Sequence, residues 1–152
     1  MKREFCCVIP ALLTFVVLAG PVVAARSGAP EKKAPPKDMA EAMDAMSGSL
    51  KLLRRLERDP DRWTKSAAMV AKGSSVVIAA MRMIPQKIQD LPDGPAKLKA
   101  FADSRRLMGL TLAGYGRLKL AFLAESEEQV EDALDFLKEI KAESHEKYNR
   151  RE

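Results

Sequence analysis

The chain has few of the residues that build most metal and catalytic centres. Of its 152 residues only His145 is a histidine, and aromatic residues make up 5%. A single histidine excludes any site that needs two imidazoles, and the shortage of Thr, Tyr and Trp argues against an all-β fold. The sequence also lacks a Gly-rich phosphate loop, a Gly-x-Ser-x-Gly motif and a paired-carboxylate metal motif. We therefore predict that the protein is not an enzyme.

The two cysteines lie in an N-terminal segment that resembles an export signal. Two basic residues precede an apolar run over residues 5–18, and small residues suited to cleavage end at Ala25. This order predicts a signal peptide over residues 1–25 and a periplasmic protein. If the segment stayed uncleaved, it would be long enough to act as a membrane anchor. Cleavage would remove Cys6 and Cys7, which excludes disulfides and thioether attachment of a cofactor.

The remainder of the chain is rich in helix-forming residues. Residues 26–38 lack apolar bulk and contain several prolines, which predicts a flexible linker. We predict one domain over residues 39–152. Its helices are expected to start after Asp38, near Asp61, at Pro95 and at Ser126. The second helix is predicted to continue to Ile84, and residues 85–95 to form a connection without regular structure. Four helices with mostly short connections favour an all-α, antiparallel up-down-up-down four-helix bundle.

Each predicted helix carries apolar residues at helical spacing, which we expect to face the bundle core. Gly109, Gly114 and Gly116 fall in the third helix, where we expect them to allow close packing rather than to break it. The expected inward residues are Met39, Met43, Met46, Leu50 and Leu53; Met69, Val70, Gly73, Val76, Val77, Ala80 and Ile84; Leu98, Phe101, Met108, Leu112, Tyr115 and Phe122; and Val130, Ala133, Leu134, Leu137, Ile140 and Tyr148.

The single histidine is expected to lie level with a methionine. In an up-down bundle the first helix starts where the fourth ends, so Met43 and His145 both lie roughly 8–10 Å from one end. Phe101 falls in the same layer, and Lys141 lies inside the apolar arc of the last helix. A thioether and an imidazole are neutral axial ligands of haem iron. The pattern predicts a haem with Met43 and His145 as iron ligands, Phe101 as a wall and Lys141 as a propionate partner. The alternative for Lys141 is a side chain that extends along the apolar arc and keeps its ammonium group in water. Arg105 and Arg150 are further propionate candidates.

Three short motifs resemble the cytochrome b562 family. The run over residues 43–51, Met-Asp-Ala-Met-Ser-Gly-Ser-Leu-Lys, resembles the first helix of that family, whose haem-ligating methionine matches Met43. The run His-Glu-Lys-Tyr over residues 145–148 resembles its C-terminal His-x-Lys-Tyr, whose histidine is the other ligand. The proline-containing stretch over residues 85–101 resembles its central crossing and third-helix start. The resemblance implies an exported electron carrier with one non-covalent haem b. A c-type Cys-x-x-Cys-His motif is absent from the sequence.

Two other functions remain open from the sequence. Met39, Met43 and Met46 share one predicted helix face, and thioethers bind Cu(I), so a copper-binding protein with His145 as an extra ligand is one alternative. A haem-less adaptor or chaperone bundle is the other. In both of these functions Met43 would not ligate haem iron, and in the second His145 would be an ordinary half-buried helical histidine.

The charge pattern bears on the partners. The formal net charge is +5, without a base-reading motif, so nucleic acid is not an expected partner. Basic residues near the predicted haem end favour brief docking to small redox proteins with acidic faces. We expect a monomer or a weak dimer. The basic residues concerned are Lys37, Lys141, Lys147, Arg150 and Arg151.

Overall fold

Residues 34–148 form an all-helical fold in the computed structural model of the chain, which describes these residues. Five helices follow one another in this stretch, which contains no strand. They are α1 (Met39–Leu56), α2 (Arg62–Ala80), α3 (Gln86–Gln89), α4 (Pro95–Leu123) and α5 (Glu127–Tyr148). The predicted signal peptide and the first part of the predicted linker lie outside the described residues. Across residues 34–148, no helix combines the length and apolarity that crossing a membrane requires.

Three of the predicted helix starts are confirmed, two of them by side-chain capping hydrogen bonds. The Asp38 carboxylate accepts a hydrogen bond of 2.8 Å from the backbone N–H of Glu41, which satisfies a free donor at the start of α1. Pro95 occupies the first turn of α4, where its missing N–H costs nothing. At the start of α5 the Ser126 hydroxyl accepts from the backbone N–H of Gln129 at 3.4 Å.

The prediction that the second helix continues to Ile84 is wrong. Helix α2 ends at Ala80, and the chain tightens there because Met83 donates its backbone N–H to the carbonyl of Ala80. Pro85 disfavours helical backbone at the residue before it, so Ile84 leaves the helix. The Ile84 side chain is 39% exposed instead of facing the core.

The segment predicted to lack regular structure contains the short helix α3. Pro85 is its N-cap residue, and its carbonyl accepts from the backbone N–H of Ile88. Ile88 is only 1% exposed. A helical turn satisfies the backbone polar groups around a buried residue, which a structureless connection would leave unpaired. The prediction for residues 85–95 is therefore corrected.

The core is built where the long helices pack in sequence order. Helix α1 packs on α2, α2 on α4 and α4 on α5, while α3 adds a small contact with α4. Most of the predicted inward positions are confirmed as buried. The most deeply buried large residues are Tyr115, Ile88, Leu107, Leu118, Val70 and Val77.

Leu98 is a predicted core residue that the structure places on the surface, with 71% of its side chain exposed. Ala80, the last residue of α2, packs with Met108 of α4. Leu98 precedes Met108 by ten residues, or about 15 Å along the helix, so it extends past the end of α2. A helical apolar pattern marks a face, but it does not establish that a neighbouring helix reaches that face.

Two glycines allow the helices to approach each other closely. A methyl group at Gly73 of α2 would overlap the ring of Tyr115 of α4, and one at Gly114 of α4 would overlap Leu137 of α5. Helix α4 runs unbroken through Gly109, Gly114 and Gly116, as predicted. The expectation of close packing is confirmed for Gly114.

Gly73→Ala is expected to lower the free energy of unfolding by about 1–3 kcal/mol, because the added methyl group forces the buried Tyr115 ring to move. Gly109→Ala is the matched control, since its methyl group would meet no neighbouring atom within 4 Å. That control should stabilise the protein by about 0.5–1 kcal/mol through helix propensity. Urea unfolding followed by circular dichroism measures both. Equal stability changes in the two variants would contradict this packing.

Candidate functional site

A cleft lies between α1, α4 and α5 and contains residues from the predicted haem site. Its walls are mostly apolar, and its cavity volume is about 60 Å³. Met43 lines it from α1, and Lys141 and Ser144 line it from α5. The other lining residues are Met46, Ser47, Leu50, Met108, Thr111, Tyr115, Leu137 and Ile140.

Tyr115 holds the floor of this cleft in place. Its ring is buried, and its hydroxyl lies 3.2 Å from the carbonyl oxygen of Met46 and 3.2 Å from the hydroxyl of Ser49. Burial raises the pKa of Tyr115, and the hydrogen bond with Ser49 offsets part of that change. The phenol therefore stays neutral and ties α1 to α4. We expect the floor to be the most rigid part of the cleft.

The structure places Met43 on the wall of the cleft, whereas His145 is not among the described residues that line it. Met43 is half-buried, four residues after the start of α1, or about 6 Å along the helix. His145 is half-buried three residues before the described end of α5, or about 4.5 Å. Its neighbour Ser144 is one of the described residues that line the cleft, and His145 is not. Met43 therefore faces the cleft. His145 comes directly after Ser144, which is the last residue of α5 that lines the cleft.

The other predicted site residues are divided between the cleft and its surroundings. Lys141 lines the cleft but is exposed, so its position fits a side chain that keeps its ammonium group in water. Phe101 is half-buried and is not a wall residue of the cleft within the described chain. The guanidinium carbon of Arg105 lies 4.7 Å from the centroid of the Phe101 ring, a cation–π contact. Arg150 lies outside the described residues.

A polar cluster that the sequence analysis missed fastens the end of α5 to α4. The Asp103 carboxylate accepts hydrogen bonds from Arg106 at 2.9 Å, Lys147 at 3.0 Å and the Tyr148 hydroxyl at 2.9 Å. Glu143 accepts from Lys147 at 2.7 Å and also pairs with Arg106. The pairs three or four residues apart could be found in the sequence, but the contact of Asp103 with Tyr148 depends on the fold. This cluster fixes the turn of α5 that carries His145.

The cluster changes the ionisation of its members. Partial burial raises the pKa of Asp103, but the hydrogen bonds from Lys147, Arg106 and Tyr148 outweigh it and lower that pKa to about 2. Partial burial and the neighbouring Asp103 raise the pKa of Tyr148 to about 12. At neutral pH the carboxylate is therefore ionised and the phenol neutral.

The stabilising contribution of the Asp103 carboxylate is expected to be lost in acid. Because its pKa is lowered on folding, its contribution is present above the unfolded pKa near 3.8 and is lost as the pH falls towards about 2. After allowance for solvent screening of this partly exposed group, we expect a loss of about 1 kcal/mol over that window. Asp103→Asn should remove this part of the pH dependence, whereas Asp135→Asn, on an exposed pair with Lys138, should not. Identical acid profiles for the two variants would contradict the role of Asp103.

The comparisons with known proteins identify no relative. No family model matches the chain, and no curated protein or solved structure is detectably similar to it. The resemblance to the cytochrome b562 family therefore rests on the three sequence motifs. Among residues 34–148, His, Cys, Asp and Glu form no group of three or more that could hold a metal ion.

Proposed function

We propose that the protein is an exported b-type cytochrome that carries electrons through one non-covalent haem. Met43 and His145 would hold the iron as axial ligands. The observation that carries this proposal is that Met43 of α1 and Ser144 of α5, the residue before His145, line the same apolar cleft. The ligand pairing follows the resemblance of the flanking motifs to the cytochrome b562 family.

We further propose that the four long helices form an antiparallel up-down-up-down bundle. Support comes from contacts that pair early residues of one helix with late residues of the next. The Trp63 ring at the start of α2 lies 6.1 Å from the Phe122 ring at the end of α4, centroid to centroid. The Tyr148 hydroxyl at the end of α5 lies 3.1 Å from the carbonyl of Ala100, near the start of α4. With this topology the start of α1 and the end of α5 lie at the same end of the bundle.

A thioether and an imidazole suit haem iron, but the cleft is too small for a haem. Its volume of about 60 Å³ compares with roughly 300–1,000 Å³ for cofactor pockets in general. Helix α1 packs mainly on α2, and α5 packs mainly on α4. The proposal therefore requires α1 and α5 to separate when haem enters, while the Tyr115 floor stays in place.

The residues around the cleft have distinct roles in this proposal. When bound, haem supplies reversible one-electron chemistry at its iron. As ligands of that iron, the thioether of Met43 and the imidazole of His145 would favour the ferrous state and so raise the reduction potential. Leu50 and Leu137 exclude water from the apolar faces, and the Lys141 ammonium group can pair with a carboxylate at the cleft mouth.

The same end of the molecule is proposed to dock an acidic redox partner. Lys141 is the exposed cation of the cleft, whereas Lys147 is paired with Asp103 and Glu143 within the chain. Electron carriers need small, quickly released contacts, for which charge is better suited than apolar burial. Lys141 is therefore the described residue on which the proposed docking depends most.

A titration of the purified protein with haemin tests the proposed function. We expect saturation at one haem per chain, with a shifted Soret band and the spectrum of a low-spin, six-coordinate iron. The small volume of the cleft favours a second candidate, a haem-less binding or chaperone bundle. If one equivalent of haemin leaves the Soret band at the position of free haemin, the cytochrome proposal is wrong and the second candidate is favoured.

A further inference from the structure

A second apolar cluster, which shares Met43 and Val76 with the main core, consists largely of methionine. Its fully buried centre is formed by the small side chains of Ala42 and Ala80, with Met108 beside them. Five of the eight methionines of the chain belong to this cluster. These five, which we call the methionine cluster, are Met39 and Met43 of α1, Met81 and Met83 after α2, and Met108 of α4.

The cluster differs from the group of methionines that the sequence suggested. Met46 was grouped with Met39 and Met43 on one face of the first helix, but it lies in the main core with Tyr115 and Leu137. The additional sulfurs come from Met81 and Met83, which follow the unexpectedly early end of α2. Three separate segments therefore contribute thioethers to one place, which the spacing along a single helix does not predict.

The chemistry of these side chains selects a narrow class of metal ion. Thioethers are soft, neutral ligands that favour Cu(I), whereas Zn²⁺, Mg²⁺ and Ca²⁺ require imidazole, thiolate or oxygen donors. The described residues contain no group of three or more His, Cys, Asp and Glu that could supply such donors. A monovalent soft ion is therefore the cation that this cluster suits best.

The cluster is also accessible and adaptable. Met39, Met43, Met81 and Met83 are half-buried, so a small ion can reach them without unfolding of the helices. The backbone N–H of Met81 bonds to the carbonyl of Val77 and that of Met83 to the carbonyl of Ala80, which holds both residues next to the buried alanines. The methionine side chain has three rotatable bonds, so several sulfurs can converge on one ion.

We propose that the methionine cluster binds one Cu(I) ion through the thioether sulfurs of Met39, Met81, Met83 and Met108. Met43 and Met108 belong to the cluster and also line the haem cleft, so they can contribute to either site. Met39, Met81 and Met83 are not among the described residues that line the cleft, so they do not depend on the haem proposal. Binding involves no change in oxidation state of the ion, which must be supplied as Cu(I).

The test uses the full chain with Cys6→Ser and Cys7→Ser, so that thiolates do not compete for the ion. Cu(I) is kept reduced with ascorbate without oxygen and titrated against a chromogenic Cu(I) chelator, and Ag(I) serves as a redox-inert probe in a parallel titration. We expect one equivalent to bind. Met81→Leu with Met83→Leu should weaken binding at least about tenfold, because loss of groups that merely support a metal site already costs that much.

Leucine conserves the volume of methionine, so the double variant should keep its fold, which circular dichroism verifies. Met69→Leu is the matched control, because Met69 packs on the main core and should leave the affinity unchanged. A haemin titration of the double variant should also be unchanged, which separates this site from the haem proposal. Binding as tight in the double variant as in Met69→Leu, or no bound ion in either, would overturn the proposal.

Discussion

Replacing His145 with alanine is expected to weaken haem binding at least about 100-fold. An axial ligand contributes more than the groups that support it, and loss of such supporting groups already costs about 10–100-fold in metal affinity. The turn that carries His145 is fixed to α4 by hydrogen bonds of Lys147 and Tyr148 with Asp103, so the backbone that bears the ring is held in place. Glu146→Ala, at the neighbouring exposed position, is the matched control and should bind haem normally.

Met43→Ala should have a different effect. The thioether is the weaker ligand, so haem should remain bound while the iron becomes five-coordinate and high-spin, with a lower reduction potential. Met69→Ala removes a methionine from outside the cleft and should leave the spectrum and the potential unchanged. Haem titrations and redox titrations of the four variants measure these effects. Unchanged spectra in both Met43→Ala and His145→Ala would show that neither residue ligates the iron.

Haem is expected to stabilise the fold by about 4 kcal/mol at a thousandfold excess over its dissociation constant, because it binds the native state alone. For a domain of this size that gain should raise the melting temperature by more than about 10 °C. Without haem, α1 is held mainly by its packing on α2, and α5 by its packing on α4. Contacts across the small cleft between α1 and α5 add little to the stability. The apo protein should therefore keep its helices and exchange amide protons fastest at the first and last turns of α1 and α5.

Thermal unfolding followed by circular dichroism, with and without haemin, measures this coupling. The double variant Met43→Ala, His145→Ala is the control, and haemin should not change its melting temperature. If the apo and holo melting temperatures of the unaltered protein coincide at saturating haemin, the cleft between α1 and α5 is not the haem site.

The sequence predicted the parts of the fold that depend on neighbouring residues. Asp38, Pro95 and Ser126 mark helix starts through hydrogen bonds or dihedral angles within one turn, and the structure confirms all three. Helix ends were harder to predict. Pro85 shows that the second helix has ended before it, but it does not show at which residue the helix ends. The exposed Leu98 shows the same limit, since its surroundings depend on how far α2 extends.

The candidate site was predictable to a similar degree. Met43 and Lys141, which the sequence places in one candidate site, line the same cleft. The Asp103 cluster and the contributions of Met81 and Met83 were not predicted, because they depend on contacts between residues far apart in the sequence. Phe101 contacts Arg105 and is not among the described residues that line the cleft. The axial roles of Met43 and His145 remain predictions.

The central claim, that this chain is a b-type cytochrome, is tested most directly by the visible absorption spectrum of the protein purified from a host that exports it. Iron and copper analysis of the same sample should accompany the spectrum. We predict one iron per chain, a low-spin Soret band, and sharp α and β bands after reduction with dithionite. A colourless protein without iron, whose spectrum with one equivalent of haemin is that of free haemin, would contradict the claim.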